Sequence, residues 1–414
     1  CGRAGSHGGR VVTDYQTFLA SKSIAAPVRG MDETPDLAPH LFPFQREAVA
    51  FGLRVGSWGC YLNTGLGKTA CELEWCRHAA EASNGRALIL TPLAVARQIE
   101  AEGRRFGYET NVIREQADAR DGISVCNYDR IDKLDLAAFG AVACDESSVV
   151  KALTGSTSLA LRAALAGHRW RMAASATPAP NDSMELGQQS DLLGVMPSSE
   201  MLMRWFKNDT ASASQQWRLK GHAVADFWAW MASWSRAAEH PRDLGDDVHG
   251  FDLLPLNTIR HRAPTEPLRP EEGTLFAGAL ISATSMHDIK RQTIRGRADL
   301  AAEVIAREPS ESWVVWCDTN YEADELLAAM ASWGDVGEVR GSQSVEQKEE
   351  TLAAFQTGAI RVLIAKPSVC GWGLNWQHCA RQLFVGRSFS YEAWFQAVRR
   401  CWRFGQKRRV DCHL

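Results

Sequence analysis

Residues 62–69 read Leu-Asn-Thr-Gly-Leu-Gly-Lys-Thr; their first residue closes the apolar run Gly59–Leu62, and their last two open a helical pattern over Lys68–Glu81. A buried strand that feeds a glycine turn and then a helix is the setting of a phosphate-binding loop. Such a loop belongs on a parallel sheet with helices on its faces. Gly65 and Gly67 let the backbone turn its N–H groups toward phosphate oxygens. Lys68 supplies a cation to the β- and γ-phosphates, and Thr69 a hydroxyl to Mg2+. The strict spacing would place glycine at 62, where this chain has Leu62.

The surrounding pattern agrees with that setting. Gly59–Leu62, Ala87–Leu90, Ala141–Cys144 and Arg171–Ala174 read as buried strands, separated by helical segments. Strand–helix alternation predicts a parallel sheet. It lapses over 181–250, which reads as a helical insert rich in tryptophan. There Phe227, Trp230, Met231 and Trp234 line one helix face, favouring core packing over a base-stacking platform. Residues 251–297 carry four prolines and then Lys290, Arg291, Arg295 and Arg297. They read as an interdomain connection, its basic stretch either crossing nucleic acid or forming a solvated helix. Alternation resumes at 298, with strand-like Trp313–Cys317, Ile360–Ala365, Arg381–Val385 and Val410–His413, and helices over Tyr321–Trp333 and Val345–Gln356. The expected division is an N-terminal extension at 1–30, a first α/β domain at 31–180, the insert at 181–250, the connection at 251–297 and a second α/β domain at 298–414. The first ten residues, without a starting Met, are read in part as a cloning remnant.

Three further groups carry chemistry. Asp145 and Glu146 follow Ala-Val-Ala-Cys, so they project from the carboxyl end of a strand, where ligands sit in open α/β sheets. Beside Lys68 and Thr69, Asp145 is expected to hold Mg2+ and Glu146 to orient and deprotonate a water; alone the pair reads as a solvated strand end. Ser175-Ala176-Thr177 follows another strand and could hydrogen-bond that pair. Arg400 and Arg403 lie three apart, so a helix would turn both the same way, toward the charge of a γ-phosphate if two domains close on it. The alternative is a surface basic helix with Arg399 and Lys407-Arg408-Arg409. Gln45, in Leu-Phe-Pro-Phe-Gln-Arg, has a carboxamide able to pair with the N6 and N7 edge of adenine; taken alone it is a surface glutamine at a helix start.

Bulk properties narrow the class. A chain of 414 residues, 45% hydrophobic and 23% charged, is large enough for two or three domains. It has no run of 18 apolar residues and no visible signal peptide, which predicts a cytoplasmic protein with no membrane partner. Eleven scattered cysteines without a CxxC pair predict buried free thiols. A net charge of −3 neither supports nor excludes nucleic-acid binding.

Taken in order, these residues resemble a superfamily 2 helicase, and within it the Swi/Snf-type DNA-dependent ATPases. Gln45 is similar to the adenine-reading Q motif. Thr64, Gly65, Leu66, Gly67, Lys68 and Thr69 resemble motif I, and Leu90-Thr91-Pro92 resembles motif Ia. Asp145-Glu146 is similar to motif II and Ser175-Ala176-Thr177 to motif III. Gly371-Trp-Gly373-Leu-Asn375 resembles motif V, and the string from Gln396 through Arg400 and Arg403 to Gln406 resembles the Swi/Snf form of motif VI. Motif II departs by reading Asp-Glu-Ser-Ser. The resemblance implies two RecA-like parallel-sheet domains in tandem, with the helical insert between them. It further implies a nucleotide site at Gln45, Thr64–Thr69, Gly373 and Gln396; catalytic Lys68, Asp145, Glu146, Arg400 and Arg403; Mg2+ on Thr69 and Asp145; and ATP as the nucleotide. It predicts a motor gripping duplex or forked DNA without sequence preference, of the compact kind familiar from bacteriophage genomes. An RNA helicase, an ATP-gated DNA clamp and a motor subunit of a restriction–modification or recombination system stay open beside it. No strand-separating hairpin is identifiable in the sequence.

Overall fold

A computed structural model describes residues 24–92, 95–151, 155–180, 182–209, 216–264, 283–370, 374–388 and 390–414. Two large sheets dominate these residues. The first runs in the spatial order β3-β4-β2-β5-β6-β1-β9, and every pairing in it is parallel. Its centre is β1 (Ser57–Leu62), β2 (Arg86–Thr91), β5 (Ala141–Cys144) and β6 (Trp170–Ala174). These four are near-continuous apolar runs because helices cover both faces. The flanks are β3 (Thr110–Val112), β4 (Gly122–Asn127) and β9 (Ser235–Ala238). Helix α1 (Pro43–Val55) precedes β1, and α2 (Lys68–Glu81) follows it with the bounds the sequence predicts.

The second sheet runs β10-β15-β14-β11-β13-β12, again with all pairings parallel. It contains β10 (Asn257–Ile259), β11 (Trp313–Trp316), β12 (Val336–Val339), β13 (Val362–Ala365), β14 (Arg381–Phe384) and β15 (Asp411–His413). Along β11, Val314 and Trp316 pack into one apolar cluster and Trp313 and Val315 into another, so the sheet is covered on both sides. Two tandem RecA-like parallel-sheet units, as expected, are the result.

Two regions differ in detail from the sequence reading. Residues 181–250 do contain helices, over Leu186–Leu193, Ser198–Trp205 and Val224–Ala232, but also an antiparallel hairpin of β7 (Phe206–Asp209) and β8 (Gln216–Leu219). Then β9 joins the first sheet beside β1. Phe227, Trp230, Met231 and Trp234 are all buried in the first unit's core, where Trp205 stacks on Trp230 at 4.7 Å between centroids. A helix face that apolar must be buried somewhere, and the nearest surface is the sheet beneath it. The basic stretch at 290–297 belongs to a long helix, Ala283–Ala306. Lys290 pairs with Asp318 at 2.6 Å and Arg297 with Glu322 at 3.0 Å, while Arg291 sits over the Tyr321 ring. Lys290 and Arg297 thus face the second unit, while Arg291 and Arg295 are exposed to solvent.

Candidate nucleotide site between the two sheets

Leaving β1, the chain turns through Asn63–Gly67 and enters α2 at Lys68. Gly65 (φ +93°) and Gly67 (φ +78°) occupy the left-handed region that side-chain-bearing residues avoid. Lys68 Nζ donates to the Leu62 carbonyl at 2.9 Å; burial lowers its pKa, against the pull of Glu146 and then Asp145. Thr69 is half-buried in the first turn of the helix. Gln45 is not on the surface, as the sequence taken alone suggested, but only 4% exposed. Its Nε2 donates to the Leu66 carbonyl at 2.9 Å and its Oε1 accepts from the Phe42 N–H at 3.0 Å. It thus braces the loop at Leu66 and crowds Gly67, where a Cβ would lie 2.3 Å from Nε2.

The acid pair leaves β5 toward the same loop. Asp145 Oδ2 accepts from Thr91 Oγ1 at 2.8 Å, and its carbonyl accepts from the Tyr128 hydroxyl at 2.7 Å. Burial, and then the neighbouring Glu146, push Asp145 up to about 6. Glu146 takes a left-handed backbone, φ +49°. Its Oε1 accepts from Ser175 Oγ at 2.8 Å and Ser148 Oγ at 3.2 Å. The expected bond from the Ser175 turn to the acid pair is therefore present. Ser147 Oγ is buried without a hydrogen-bond partner. A third carboxyl, Glu72, went unread in the sequence. It is fully buried, both oxygens lack a hydrogen-bond partner, and burial and then Asp145 push its pKa well up. Its sequence signal was its place one helical turn after Lys68.

In the second unit, helix α3 (Tyr391–Val398) is followed at its end by the arginines. The predicted helix carrying Arg400 and Arg403 is not there, because α3 stops at Val398. The two side chains converge for another reason: Arg400 Nη1 and Arg403 Nη1 both donate to the Leu374 carbonyl, at 3.1 and 3.0 Å. Arg400 is fully enclosed. Its Nε donates to the Gln396 carbonyl at 2.8 Å and its Nη2 to Gln396 Oε1 at 2.9 Å. Gln396 Nε2 donates in turn to Thr177 Oγ1 at 3.1 Å, across the two units. Burial, and then Arg403, lower Arg400 to about 9, which leaves it charged at neutral pH. Arg399, not picked out by the three-residue spacing, donates from Nη2 to the Thr64 carbonyl at 2.7 Å. The Nε atoms of Arg399 and Arg403 are buried without partners. Gly373, with Gly371 and Trp372, lies outside the described residues.

The 63–69 loop and the acid pair thus face the second unit, where Arg399 holds the Thr64 carbonyl, Gln396 bonds Thr177, Arg400 lies near enough to Glu146 to feel its charge and Arg403 shares the Leu374 carbonyl with Arg400. Residues 296–405 match the helicase conserved C-terminal domain. No curated protein sequence matches the chain. Among solved structures, S. cerevisiae Dbp5 bound to RNA and ADP BeF3 is similar with a TM-score of 0.56 and 14% identity, covering 90% of this chain and 82% of that one. The Sulfolobus solfataricus SWI2/SNF2 ATPase core in complex with dsDNA is similar at 15% identity and a TM-score of 0.44, covering 92% of this chain and 88% of that one. The likeness to Dbp5 is one of fold, two RecA-like units in tandem.

Proposed function

We propose that this chain is an ATP-hydrolysing superfamily 2 helicase and, within that superfamily, a DNA-dependent motor of Swi/Snf type. It would move along duplex or forked DNA by closing and opening its two sheet units on ATP. One observation carries the reading: two buried guanidinium groups of the second unit reach the first, Arg399 on the Thr64 carbonyl and Arg400 near enough to Glu146 to feel its charge, half-buried Arg403 shares the Leu374 carbonyl with Arg400, and the hydrogen bonds of all three guanidinium groups go to carbonyls or to Gln396. Buried cations without a carboxylate among those partners call for an anion. The two unpartnered Nε donors and the left-handed glycines suit a triphosphate.

The residues fit Mg2+–ATP. Lys68 and the 63–67 backbone would hold phosphates, Thr69 and Asp145 the cation, and Gln45 would border the base. Bound Mg2+–ATP supplies the phosphoryl group that passes to water, together with a counter-charge for it. Glu146 has one oxygen fixed by Ser175 and Ser148, which leaves the other to orient a water and take its proton. Arg400 and Arg403 meet the charge of the transferred group. The Swi/Snf-type ending Arg403-Phe404-Gly405-Gln406 supports DNA as the track. No helix among the described residues is long and apolar enough to cross a membrane. The proposal extends to a phage-type motor working in the host cytoplasm on the resemblance of its motifs alone.

Steady-state ATP hydrolysis measured with no nucleic acid, single-stranded DNA, duplex DNA, a fork and RNA tests this. Duplex or forked DNA should stimulate strongly, and Lys68→Ala should abolish turnover with the fold intact. Stimulation by RNA alone would replace the proposal with an RNA helicase. Absence of turnover with every nucleic acid would favour a clamp or a motor subunit awaiting its partner.

A further inference from the structure

Arg399 is not one of the arginines that meet the transferred group, yet it ties the second unit to the 63–69 loop. Its Nη2 donates to the Thr64 carbonyl at 2.7 Å, between residues 335 apart in sequence. It is 6% exposed, and the rings of Phe395 and Trp402 lie 5.7 and 5.1 Å from its guanidinium carbon. Burial, and then the neighbouring Arg403, lower its pKa to about 10. Placing a charged guanidinium against a carbonyl and two ring faces is costly, so its position calls for an explanation. Five residues on, Phe404 stacks on Phe251 with centroids 4.3 Å apart. Its backbone nitrogen lies 2.8 Å from where a Cβ on Gly65 would be. Arg399 and Phe404 therefore grip consecutive residues of one loop from the other unit.

The peptide bond gives this grip a consequence. The Thr64 carbonyl and the Gly65 N–H belong to one rigid plane and point in opposite directions. Whatever fixes the carbonyl fixes the N–H, and Gly65, with its freedom at positive φ, offers little resistance to a flip of that plane. We propose that Arg399 is a positioning residue which, by holding the Thr64 carbonyl, sets the Thr64–Gly65 peptide so that the Gly65 N–H faces the phosphates. The loop is then competent only when the two sheets are closed. The inference rests on reading this loop as the nucleotide cradle. It assigns the second unit a task before any phosphate chemistry: shaping the cradle itself.

Arg399→Gln and Arg399→Lys test it in the full chain. Hydrogen exchange at the amides of residues 63–67, measured without nucleotide, should quicken at least ~10-fold in Arg399→Gln while strands such as β5 and β11 keep their protection. The KM for ATP should rise roughly 10-fold, beyond any fall in kcat, because the cradle and not the chemistry is altered. Arg399→Lys keeps the charge but not the planar fork and should fall between the two. A merely structural role would lower thermal stability without moving loop exchange or KM, and that result overturns the proposal. If Arg399→Gln does not fold, Arg399→Lys carries the test alone, and unquickened exchange at residues 63–67 in that variant overturns the proposal. Normal turnover in Lys68→Ala would instead sink the nucleotide reading and leave the exchange result standing.

Discussion

At the scale of single residues, the site is organised around deeply buried carboxylates. Glu146 holds a left-handed backbone without being glycine, a conformation that costs about 1 kcal/mol and persists only where neighbours enforce it. Ser175 and Ser148 do so through one oxygen. If Glu146 is the base, Glu146→Gln should bind ATP normally and hydrolyse it at least ~100-fold more slowly in single-turnover assays; an unchanged rate would remove it from that role. Asp145 makes a second prediction, in stability. Its acid is raised from 3.8 to about 6, so the folded state favours the proton. Stability from this group is full below pH 3.8, declines as pH rises and is lost above about 6. Asp145→Asn mimics the protonated acid. It should stabilise the chain by roughly 1–3 kcal/mol in urea titrations above pH 6, with the gain shrinking toward pH 4. A gain independent of pH would show that the carboxyl is not strained by its burial.

Among the elements, legibility followed burial. The central strands β1, β2, β5, β6, β11, β13 and β14 were readable because a strand covered on both faces must be an unbroken apolar run. Helix α2 was readable to the residue because a glycine turn fixes its start. What escaped was held by partners distant in sequence. Strand β9 reads Ser-Arg-Ala-Ala, and its Arg236 lies over the Phe51 ring and pairs with Glu47. Strand β10 is Asn-Thr-Ile, docked on β15 by Asn257 donating to Asp411 at 2.7 Å. The arginine trio was half legible. Its chemistry shows in residue type, but its convergence depends on a carbonyl at Leu374, 26 positions before Arg400, that no spacing reveals. The β10–β15 edge carries its own prediction. His413 lies 2.8 Å from His261, and burial, followed by that neighbour, lowers its pKa from 6.5 to about 4. A depressed histidine gives stability that is present above pH 6.5 and lost as pH falls toward 4. Wild type should lose about 1–2 kcal/mol more than His413→Phe between pH 7 and pH 4.5. Parallel pH profiles for the two proteins would place the acid sensitivity elsewhere.

For the whole molecule, the question is what makes two separately cored sheets act together. Outside the loop grip, the units meet through few polar groups; Arg114 and Glu346, an exposed pair 3.9 Å apart, contribute little in water. One path is continuous. Glu146 accepts from Ser175, whose hydroxyl accepts from the Thr177 N–H at 3.0 Å; Thr177 Oγ1 accepts from Gln396, and Gln396 Oε1 from Arg400. It links the proposed base of the first unit to the proposed phosphate-facing arginine of the second, and Gln396 is the crossing that reaches Arg400, beside a second bond from Thr177 Oγ1 to Glu392 Oε1 at 3.3 Å. A contact this narrow can break and re-form within a cycle, as alternate closing and opening requires. Gln396→Ala removes the crossing to Arg400 while leaving Arg400 its bonds from Nε and Nη1, and Thr177 its bond to Glu392. Nucleic-acid-stimulated hydrolysis should then fall roughly 10–100-fold toward the unstimulated rate. The unstimulated rate itself and affinity for a non-hydrolysable analogue should change by less than about 3-fold, because neither requires the units to signal. The contrast between the two rates is the test. An equal fall in both would mean that Gln396 merely props Arg400, and that coupling between the sheets runs through the grip on the phosphate loop instead.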